Sequence, residues 1–355
     1  MSVSYSASGG IVKFAETNSK KSQETIPFVL YSLMRGRLIF TTNEKYEQAI
    51  LSTLIYIQTH LEGALNLDVL AGRVGFSPYH FHRIFRDVIG EPTKEYIRRL
   101  RVDRAAYRLK MSEETILQIA LDTGFKTHES FTRAFQRQFG IPPNEFRRNF
   151  LQASRARKKQ LQPRYIAEFH VKDESSLLPN QSTSVQVRLE HVRPIIVAFM
   201  RHVGPYDKLL DKGSPMSLLW DELFEWGNSN QLINADSLLI GIPQDDPSIT
   251  PPEKQRFDVC VQIPEFRNPS GHIGCQTIAA GTFGVGRHYG AFDSLAETYM
   301  HIYDSLVTTG KYQLRAQTSF EVYRYTLVKG DIRIHFTDVY LPLEPVEKQK
   351  KMKEK

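Results

Sequence analysis

The stretch 116–147 has the sequence ILQIALDTGFKTHESFTRAFQRQFGIPPNEFR, and its pattern decides the fold of the N-terminal half. Apolar residues recur at helical spacing on both sides of Thr123-Gly124, which predicts two short helices joined by a tight turn. Thr127 is placed to cap the second helix, whose inward face carries Phe131 and Phe135. The stretch therefore predicts a helix-turn-helix unit.

The same pattern occurs once more, about 50 residues earlier in the chain. Ala71-x3-Gly75-Phe76 matches Ala120-x3-Gly124-Phe125, and Ser77-Pro78 supplies an N-cap followed by Pro at the first helical position. Because a long helix is predicted over Pro92–Lys110, about 27 Å at 1.5 Å per residue, the two units are joined by a rigid spacer. That length is close to the roughly 34 Å between successive major-groove faces on one side of a duplex.

The second helix of each unit leaves polar and basic side chains on its outer face. These are Tyr79, His80, His82, Arg83 and Arg86 in the first unit, and His128, Glu129, Thr132, Arg133, Gln136 and Arg137 in the second. Hydrogen-bond donors, a ring and positive charge on one surface suit a DNA major groove. The alternative is a helical bundle whose exposed Arg and His residues are incidental.

Charge is divided unevenly along the chain. Residues 46–164 contain 20 Lys and Arg against 12 Asp and Glu, whereas residues 185–343 contain 14 against 18. A basic half that binds a polyanion, joined to a half that does not, explains this division. A solvated surface of mixed charge is the alternative interpretation.

The 355-residue length and the 41% hydrophobic and 24% charged composition predict about two globular domains and exclude a chain that is disordered throughout. No apolar run is long enough to cross a bilayer, and Cys260 and Cys275 have neither metal-ligand nor redox spacing. We therefore expect a cytoplasmic protein with no cofactor, no metal site and no membrane contact.

The C-terminal half changes from helical periodicity to short β-branched and aromatic runs. Its pattern predicts strand, strand, helix, strand, strand, twice over, with helices at 207–227 and 293–307. The motif at 201–207, RHVGPYD, is repeated at 287–293 as RHYGAFD. The sequence thus predicts an α+β domain, duplicated with pseudo-twofold symmetry and a cleft between its halves.

Residues 46–150 resemble the DNA-binding domain of the AraC/XylS family of bacterial transcription regulators. The most specific matches are Ile119-Ala120, Gly124-Phe125, Ser130-Phe131, Arg133, Phe135, Gly140, Pro142-Pro143 and Phe146-Arg147. The resemblance implies sequence-specific binding of double-stranded promoter or operator DNA, with RNA polymerase as a further partner. The expected DNA-binding residues are Tyr79, His82, Arg83, Arg86, His128, Glu129, Thr132 and Arg133.

Residues 185–343 resemble the GyrI-like effector-binding domain, the type found in Rob-like regulators. The matching residues are Arg201-His202-x-Gly204-Pro205-Tyr206, Gly241-Ile242, Asp245-Asp246-Pro247, Phe257-Asp258-x-Cys260, Gly290, Phe320-Glu321-x-Tyr323 and Asp338-x-Tyr340-x-Pro342-Leu343. In that family an acidic residue among aromatic side chains holds lipophilic cations, and Glu321 matches it. A carboxylate desolvated among rings favours an organic cation. The expected ligand-binding residues are Glu321, Tyr323, Trp220, Tyr206, Phe224 and Tyr299.

The resulting hypothesis is an all-α double helix-turn-helix domain followed by an α+β GyrI-like domain that senses a small molecule, an organic cation or another drug-like compound. The predicted segments are an extension (1–45), the DNA-binding domain (46–150), a basic linker (151–184), the effector domain (185–343) and a charged tail (344–355). We expect no catalytic residues. One alternative is a small-molecule hydrolase, with Tyr206 and Glu321 as its pair, fused to a DNA-targeting module; another is a domain that inhibits a protein.

Overall fold

A computed structural model describes residues 44–161, 186–206, 214–269, 271–289, 292–315, 317–328 and 331–346. The extension at 1–43, most of the predicted linker and the end of the tail lie outside these residues, as does Gly290 of the GyrI-like motif. The predicted fold class is confirmed: a helical region is followed by an antiparallel sheet with helices. No described helix is long and apolar enough to span a bilayer.

The N-terminal helices follow the predicted pattern. They are α1 (Glu44–Thr59), α2 (Leu67–Arg73), α3 (Pro78–Ile89), α4 (Thr93–Met111), α5 (Ile116–Asp122), α6 (His128–Phe139) and α7 (Pro143–Leu161). Ser77 and Thr127 cap α3 and α6 through their side-chain oxygens, as predicted. Both helices end at a glycine with positive φ, Gly90 and Gly140.

Each helix-turn-helix unit has its own hydrophobic core. Phe81 and Phe85 of α3 pack with α1 and the first half of α4, whereas Phe131 and Phe135 of α6 pack with its second half. The turn at Gly124 has φ of +88°, and a Cβ there would lie 2.6 Å from the carbonyl oxygen of Leu61. A glycine is therefore required at this turn for both backbone conformation and space.

The last helix of this region is longer than predicted. We expected helical structure to end near Leu151, but α7 continues to Leu161 and includes the start of the basic run. Arg, Lys, Gln and Ala are all good helix formers, and no Pro or Gly interrupts them before Pro163. Local propensity therefore carries the helix ten residues further, into the segment that we interpreted as a linker.

The C-terminal region contains a nine-stranded antiparallel sheet within the described residues. Its strands are β1 (Val187–Val192), β2 (Ile195–Val203), β3 (Leu239–Pro243), β4 (Arg256–Gln262), β5 (Gly274–Ile278), β6 (Gly281–His288), β7 (Tyr312–Leu314), β8 (Phe320–Val328) and β9 (Asp331–Pro345). Two helices pack on one face, α8 (Pro215–Ser229) and α9 (Leu295–Leu306). Leu51 of α1 packs on residues of the opposite face.

The sequence pattern located most of these elements but not all of their ends. Helix α8 begins at Pro215, not at 207, because Ser214 caps it and Pro215 occupies the first turn; residues 207–213 lie outside the described part. Helix α9 follows a short 3₁₀ turn at Phe292–Ser294. The short strand β7 was not predicted, since three residues are too few to show a period.

The strand order is β1-β6-β9-β8-β3-β4-β2-β5, with β7 attached to β9. Strands β1, β2, β3 and β4 can be paired with β5, β6, β8 and β9, respectively. When each strand is replaced by its counterpart, the strand order is reversed, so the two halves of the sheet are arranged in the same way. The matched strands also carry matched ion pairs: Arg201 with Asp258, and Arg287 with Asp338. Descent from a duplicated unit stays a prediction.

Candidate functional site: two exposed helix faces and a buried carboxylate

The outer faces of α3 and α6 present most of the residues expected to contact DNA. Arg83 and Arg86 are exposed, and Tyr79 is 80% exposed. His82 is half-buried. On α6, His128, Glu129 and Arg133 are exposed. The two helix faces thus offer guanidinium groups in a form that can reach base edges or phosphates.

Two residues of these helices are placed differently from the expectation. His80 does not point outward: its ring packs edge-on against Tyr46 and Phe76, at 5.5 and 5.2 Å between ring centroids. The side-chain oxygen of Thr132 is covered, with no hydrogen-bond partner among the described residues. The helical period alone could not show that His80 is covered, because Tyr46, which covers it, belongs to α1, a distant part of the chain.

Glu129 lies in the first turn of α6. Hydrogen bonds from its own backbone N–H and from Thr127 lower the pKa of its carboxyl group, with smaller contributions from His128 and Arg133. A carboxylate in the first turn stabilises the helix through the helix dipole. Glu129 therefore supports the N-terminus of α6, and its carboxylate remains exposed on the outer face of the helix.

Glu321 forms the second part of the site. It lies on β8, is only 4% exposed, and is enclosed between the two helices on the sheet. Tyr299 of α9 donates to Glu321 Oε1 at 3.1 Å, and Tyr323 donates to Oε2 at 2.6 Å. Trp220 of α8 packs edge-on against Tyr323 at 5.4 Å. We call these four residues the Glu321 cluster.

A glycine on the neighbouring strand makes room for this cluster. Gly241 of β3 lies directly opposite Glu321 in the register of the sheet. A Cβ at this position would overlap the Tyr323 hydroxyl and lie 2.6 Å from Phe257. The sequence motif Gly241-Ile242 thus has a steric reason: the hydroxyl of Tyr323 occupies the space of the missing side chain.

Burial raises the pKa of Glu321 to about 7, and the hydrogen bonds from Tyr323 and Tyr299 only partly oppose this rise. No described basic group neutralises it with a salt bridge. The Nε1 of Trp220 is also buried without a partner among the described residues. The cluster is therefore short of a positive charge and of a hydrogen-bond acceptor, which a bound molecule can supply.

The other two expected ligand-binding residues differ from each other. Phe224 is half-buried and packs against the same apolar cluster as Trp220 and Tyr323. Tyr206 packs there too, but its hydroxyl donates to the carbonyl oxygen of Arg256 at 2.5 Å and accepts from the N–H of Asp245 at 3.2 Å. The hydroxyl of Tyr206 is therefore bonded to backbone, not to Glu321.

The structure adds Phe292, which sequence reasoning missed. Its ring lies 5.7 Å from that of Tyr323. A signal was available: Phe292 occupies in RHYGAFD the position that Tyr206 occupies in RHVGPYD. The repeated motif therefore places one ring from each half of the domain against the apolar cluster that includes Tyr323.

A groove of about 590 Å³ lies elsewhere, between α1 and the loop after β4. Its lining consists of Lys45, Gln48, Ala49, Ser52, Val74, Phe76, Asn268 and Pro269. None of these residues belongs to the Glu321 cluster. Within the described ranges, no group of three or more His, Cys, Asp or Glu side chains is arranged to hold a metal ion.

The raised pKa of Glu321 predicts that the C-terminal domain loses stability as pH rises. The pKa of Glu321 is about 7 in the folded chain and has its ordinary value of 4.5 in the unfolded chain. The stability that protonated Glu321 contributes is therefore fully present below pH 4.5 and is lost as pH rises through about 7. The expected loss is up to about 3 kcal/mol in the free energy of unfolding. Urea unfolding at pH 5 and pH 8, followed by the fluorescence of Trp220 and Trp226 in α8, measures it. In Glu321→Gln this part of the loss should vanish; parallel pH profiles for wild type and variant would contradict the assignment.

Comparison with known proteins agrees with this architecture. Residues 70–149 match a helix-turn-helix domain, and residues 185–344 match the GyrI-like small molecule binding domain. The fold and its two candidate sites define a double helix-turn-helix protein with an attached small-molecule-binding type of domain.

The curated relatives give the family. Regulatory protein SoxS of Salmonella typhimurium is 39% identical over 101 residues, which cover 28% of this chain and 94% of SoxS. Right origin-binding protein of Escherichia coli is 40% identical over 96 residues, 27% of this chain and 33% of that protein. This chain therefore belongs to the AraC/XylS family of transcription regulators, with a GyrI-like C-terminal domain. It spans about a third of the length of the first curated relatives that it matches.

Among solved structures, the EcmrR C-terminal domain is 22% identical and covers 46% of this chain and 100% of that chain, with a TM-score of 0.38. The DNA-binding domain of AdpA, solved in complex with a target DNA, is 27% identical and covers 31% of this chain and 96% of that chain, with a TM-score of 0.29.

Proposed function

We propose that this protein is a sequence-specific DNA-binding transcription regulator, in which one chain provides two recognition helices and the C-terminal domain binds a small molecule. The observation that supports DNA binding is the exposure of arginines on the outer faces of both α3 and α6. Relatives with regulatory names, among them transcriptional regulator Rob of Salmonella typhimurium, support the same class. Promoter DNA and RNA polymerase are the proposed partners, and the cytoplasm is the proposed location.

The proposed ligand is a lipophilic cation, and Glu321 is the residue proposed to select it. The carboxyl group lies among Tyr299, Tyr323 and Trp220, where a cation gains both charge pairing and contact with ring faces. Because Glu321 and Trp220 are almost fully buried, a ligand has to displace part of the aromatic packing to reach the carboxylate. Binding would then replace contacts between buried aromatic side chains with contacts to an apolar cation.

The hydrolase alternative receives less support. It needs a Tyr hydroxyl and a Glu carboxylate that face the same substrate, and the Tyr206 hydroxyl is bonded to the Arg256 carbonyl oxygen instead. The tyrosines that do contact Glu321 have hydroxyl groups whose pKa is raised by burial and by the neighbouring carboxylate, which makes them poor nucleophiles. We therefore propose binding without turnover.

Calorimetric titration tests this proposal. We expect tetraphenylphosphonium to bind saturably and remain intact, and Glu321→Gln to lose about tenfold or more of its affinity, since about 1.4 kcal/mol or more of charge pairing is removed. Neutral triphenylphosphine oxide should bind equally weakly to both proteins. Glu265→Gln, at an exposed carboxylate of the same domain, is the matched control.

Proton release gives an independent readout. A group with a pKa of about 7 is about half protonated at pH 7, so a bound cation should expel up to about half a proton. Titration in two buffers of different ionisation enthalpy measures this number. Equal cation affinity in wild type and Glu321→Gln would remove Glu321 from the site, and consumption of the probe would favour the hydrolase.

A further inference from the structure

The loop between β3 and β4, residues 244–255, leaves the sheet and enters the helical domain. Ile249, at its centre, is 7% exposed and belongs to the hydrophobic core of the second helix-turn-helix unit, together with Phe131 and Phe135 of α6. The other described residues of that core belong to the helical domain, whereas Ile249 comes from the C-terminal domain. The loop therefore completes the core on which the second recognition helix rests.

A shared carboxylate lies beside Ile249. Asp103 of α4 accepts from the Thr250 hydroxyl through Oδ2 at 3.3 Å, and from Gln138 Nε2 of α6 through Oδ1 at 2.5 Å. Asp103 and Thr250 are 7% and 1% exposed. One oxygen thus holds the loop of the C-terminal domain and the other holds the second recognition helix.

The carboxylate is well desolvated, so water competes little for its hydrogen bonds, of which the one from Thr250 is the longer and the one from Gln138 the shorter. Burial, with a smaller contribution from Asp245, raises the pKa of Asp103 to about 6 against the opposing effects of Arg99, Arg256 and the bond from Gln138. Arg99 lies one turn earlier on α4, and its Nη1 is 3.6 Å from Asp103 Oδ2. A hydrogen bond to a buried charged group contributes more than one between neutral, exposed groups.

The other end of the loop is anchored close to the Glu321 cluster. The loop begins directly after β3, the strand on which Gly241 lies opposite Glu321. Asp245 and Arg256 close its base through hydrogen bonds of 2.6 and 2.8 Å, and Tyr206 bonds to the backbone of both. The loop is therefore closed at its base and continuous with the strand next to the candidate ligand site.

The contact is specific to the second recognition helix. In the repeat, Gln138 of α6 corresponds to Val88 of α3, which has no polar side chain to donate. On the side of the first unit, Lys254 pairs with Glu91 at 3.7 Å, and Arg256 at the base of the loop donates to the Tyr96 hydroxyl of α4 at 3.3 Å; neither partner lies on α3. A change at Thr250 should therefore move α6 more than α3.

On the basis of the function proposed above, we propose that Asp103 and Thr250 are positioning residues: they fix the second recognition helix in its DNA-binding orientation and make that orientation depend on the C-terminal domain. A movement of β3 when the Glu321 cluster opens is carried by the 244–255 loop to Gln138. Because linkage is reciprocal, DNA bound by α6 also favours one state of the loop.

The test uses the full chain and a duplex that the wild type selects from a random-sequence library. Thr250→Val removes one hydroxyl and keeps the shape, and Asp103→Asn keeps the shape and removes the charge. Each should weaken binding about three- to tenfold, the equivalent of one net hydrogen bond. Ser248→Ala, in the same loop but bonded to Lys110, is the control, expected within about twofold of wild type because the Lys110–Asp246 ion pair remains.

A double-mutant cycle separates positioning from general damage. The loss of affinity caused by Thr250→Val or Asp103→Asn should persist when Arg83→Ala removes the base contact of α3. It should fall below about twofold when Arg133→Ala removes the base contact of α6, because only residues that act through the same helix are coupled. An equal loss in both backgrounds, no loss, or tighter binding would overturn the inference. If the wild type enriches no sequence from the library, the proposed function fails as well. If the wild type binds a selected duplex but the double-mutant cycle shows no coupling, only the positioning role is refuted.

Discussion

Replacing Arg83 and Arg133 together by Ala should abolish most sequence discrimination while leaving non-specific DNA binding nearly intact. Each arginine is exposed on a different recognition helix. An arginine that pairs with a guanine contributes about 1–3 kcal/mol of discrimination. Since the two helices have separate cores, their losses should add, to about 2–6 kcal/mol.

The measurement is the ratio of affinities for the selected duplex and for random DNA at one fixed salt concentration, because phosphate contacts depend steeply on salt. Arg267→Ala, an exposed arginine of the C-terminal domain, is the matched control and should change neither affinity. Equal losses on both DNAs would show that Arg83 and Arg133 contact phosphates and do not read bases.

Asp258→Ala should destabilise the C-terminal domain far more than Asp338→Ala, although the two carboxylates are matched in the strand order. Asp258 accepts from Arg201 at 2.6 and 2.7 Å, and also from Gln244 and Gln276. The Arg201 side chain is only 2% exposed, so loss of Asp258 leaves a buried, unpaired charge. The expected cost is about 3–5 kcal/mol.

Asp338 is equally buried, but its partner Arg287 has a side chain that is 37% exposed. After Asp338→Ala the guanidinium can turn to water and keep its stacking on Phe336, so we expect a cost of about 1–2 kcal/mol. Urea unfolding followed by tryptophan fluorescence compares the two variants. Asp258→Asn, which keeps the acceptor oxygen, should lie between them; identical midpoints for both alanine variants would refute the explanation.

The sequence was sufficient for the features that depend on near neighbours. The caps at Ser77 and Thr127 and the inward faces of α3 and α6 were all predicted, because capping and helical periodicity act within one or two turns. The exposure of Arg83 and Arg133 follows from the same periodicity. Gathering of Glu321 with Tyr323 was predictable for a similar reason: residues two apart on a strand share a face.

The same reasoning was wrong where a distant segment intervened. His80 fits the outward face of α3 by period, but Tyr46 and Phe76 cover it. The ring of Tyr206 does pack against the apolar cluster, but its hydroxyl is bonded to backbone at Arg256 and Asp245 and not to Glu321, with which the hydrolase alternative pairs it. In both cases a residue that is distant in the sequence supplies a partner which the local pattern does not show.

The sequence by itself determined that this chain has two helix-turn-helix units and an α+β domain, since period, caps and turn residues are local properties. Only the tertiary structure decided that Asp103 joins Gln138 to Thr250, which lies 147 residues away from it, and that Ile249 fills the core beneath α6. Asp103, in a mid-helix position, has the pattern of an ordinary polar residue. The identity of its partners is a matter of packing between domains, and contacts between distant residues leave no period in the chain.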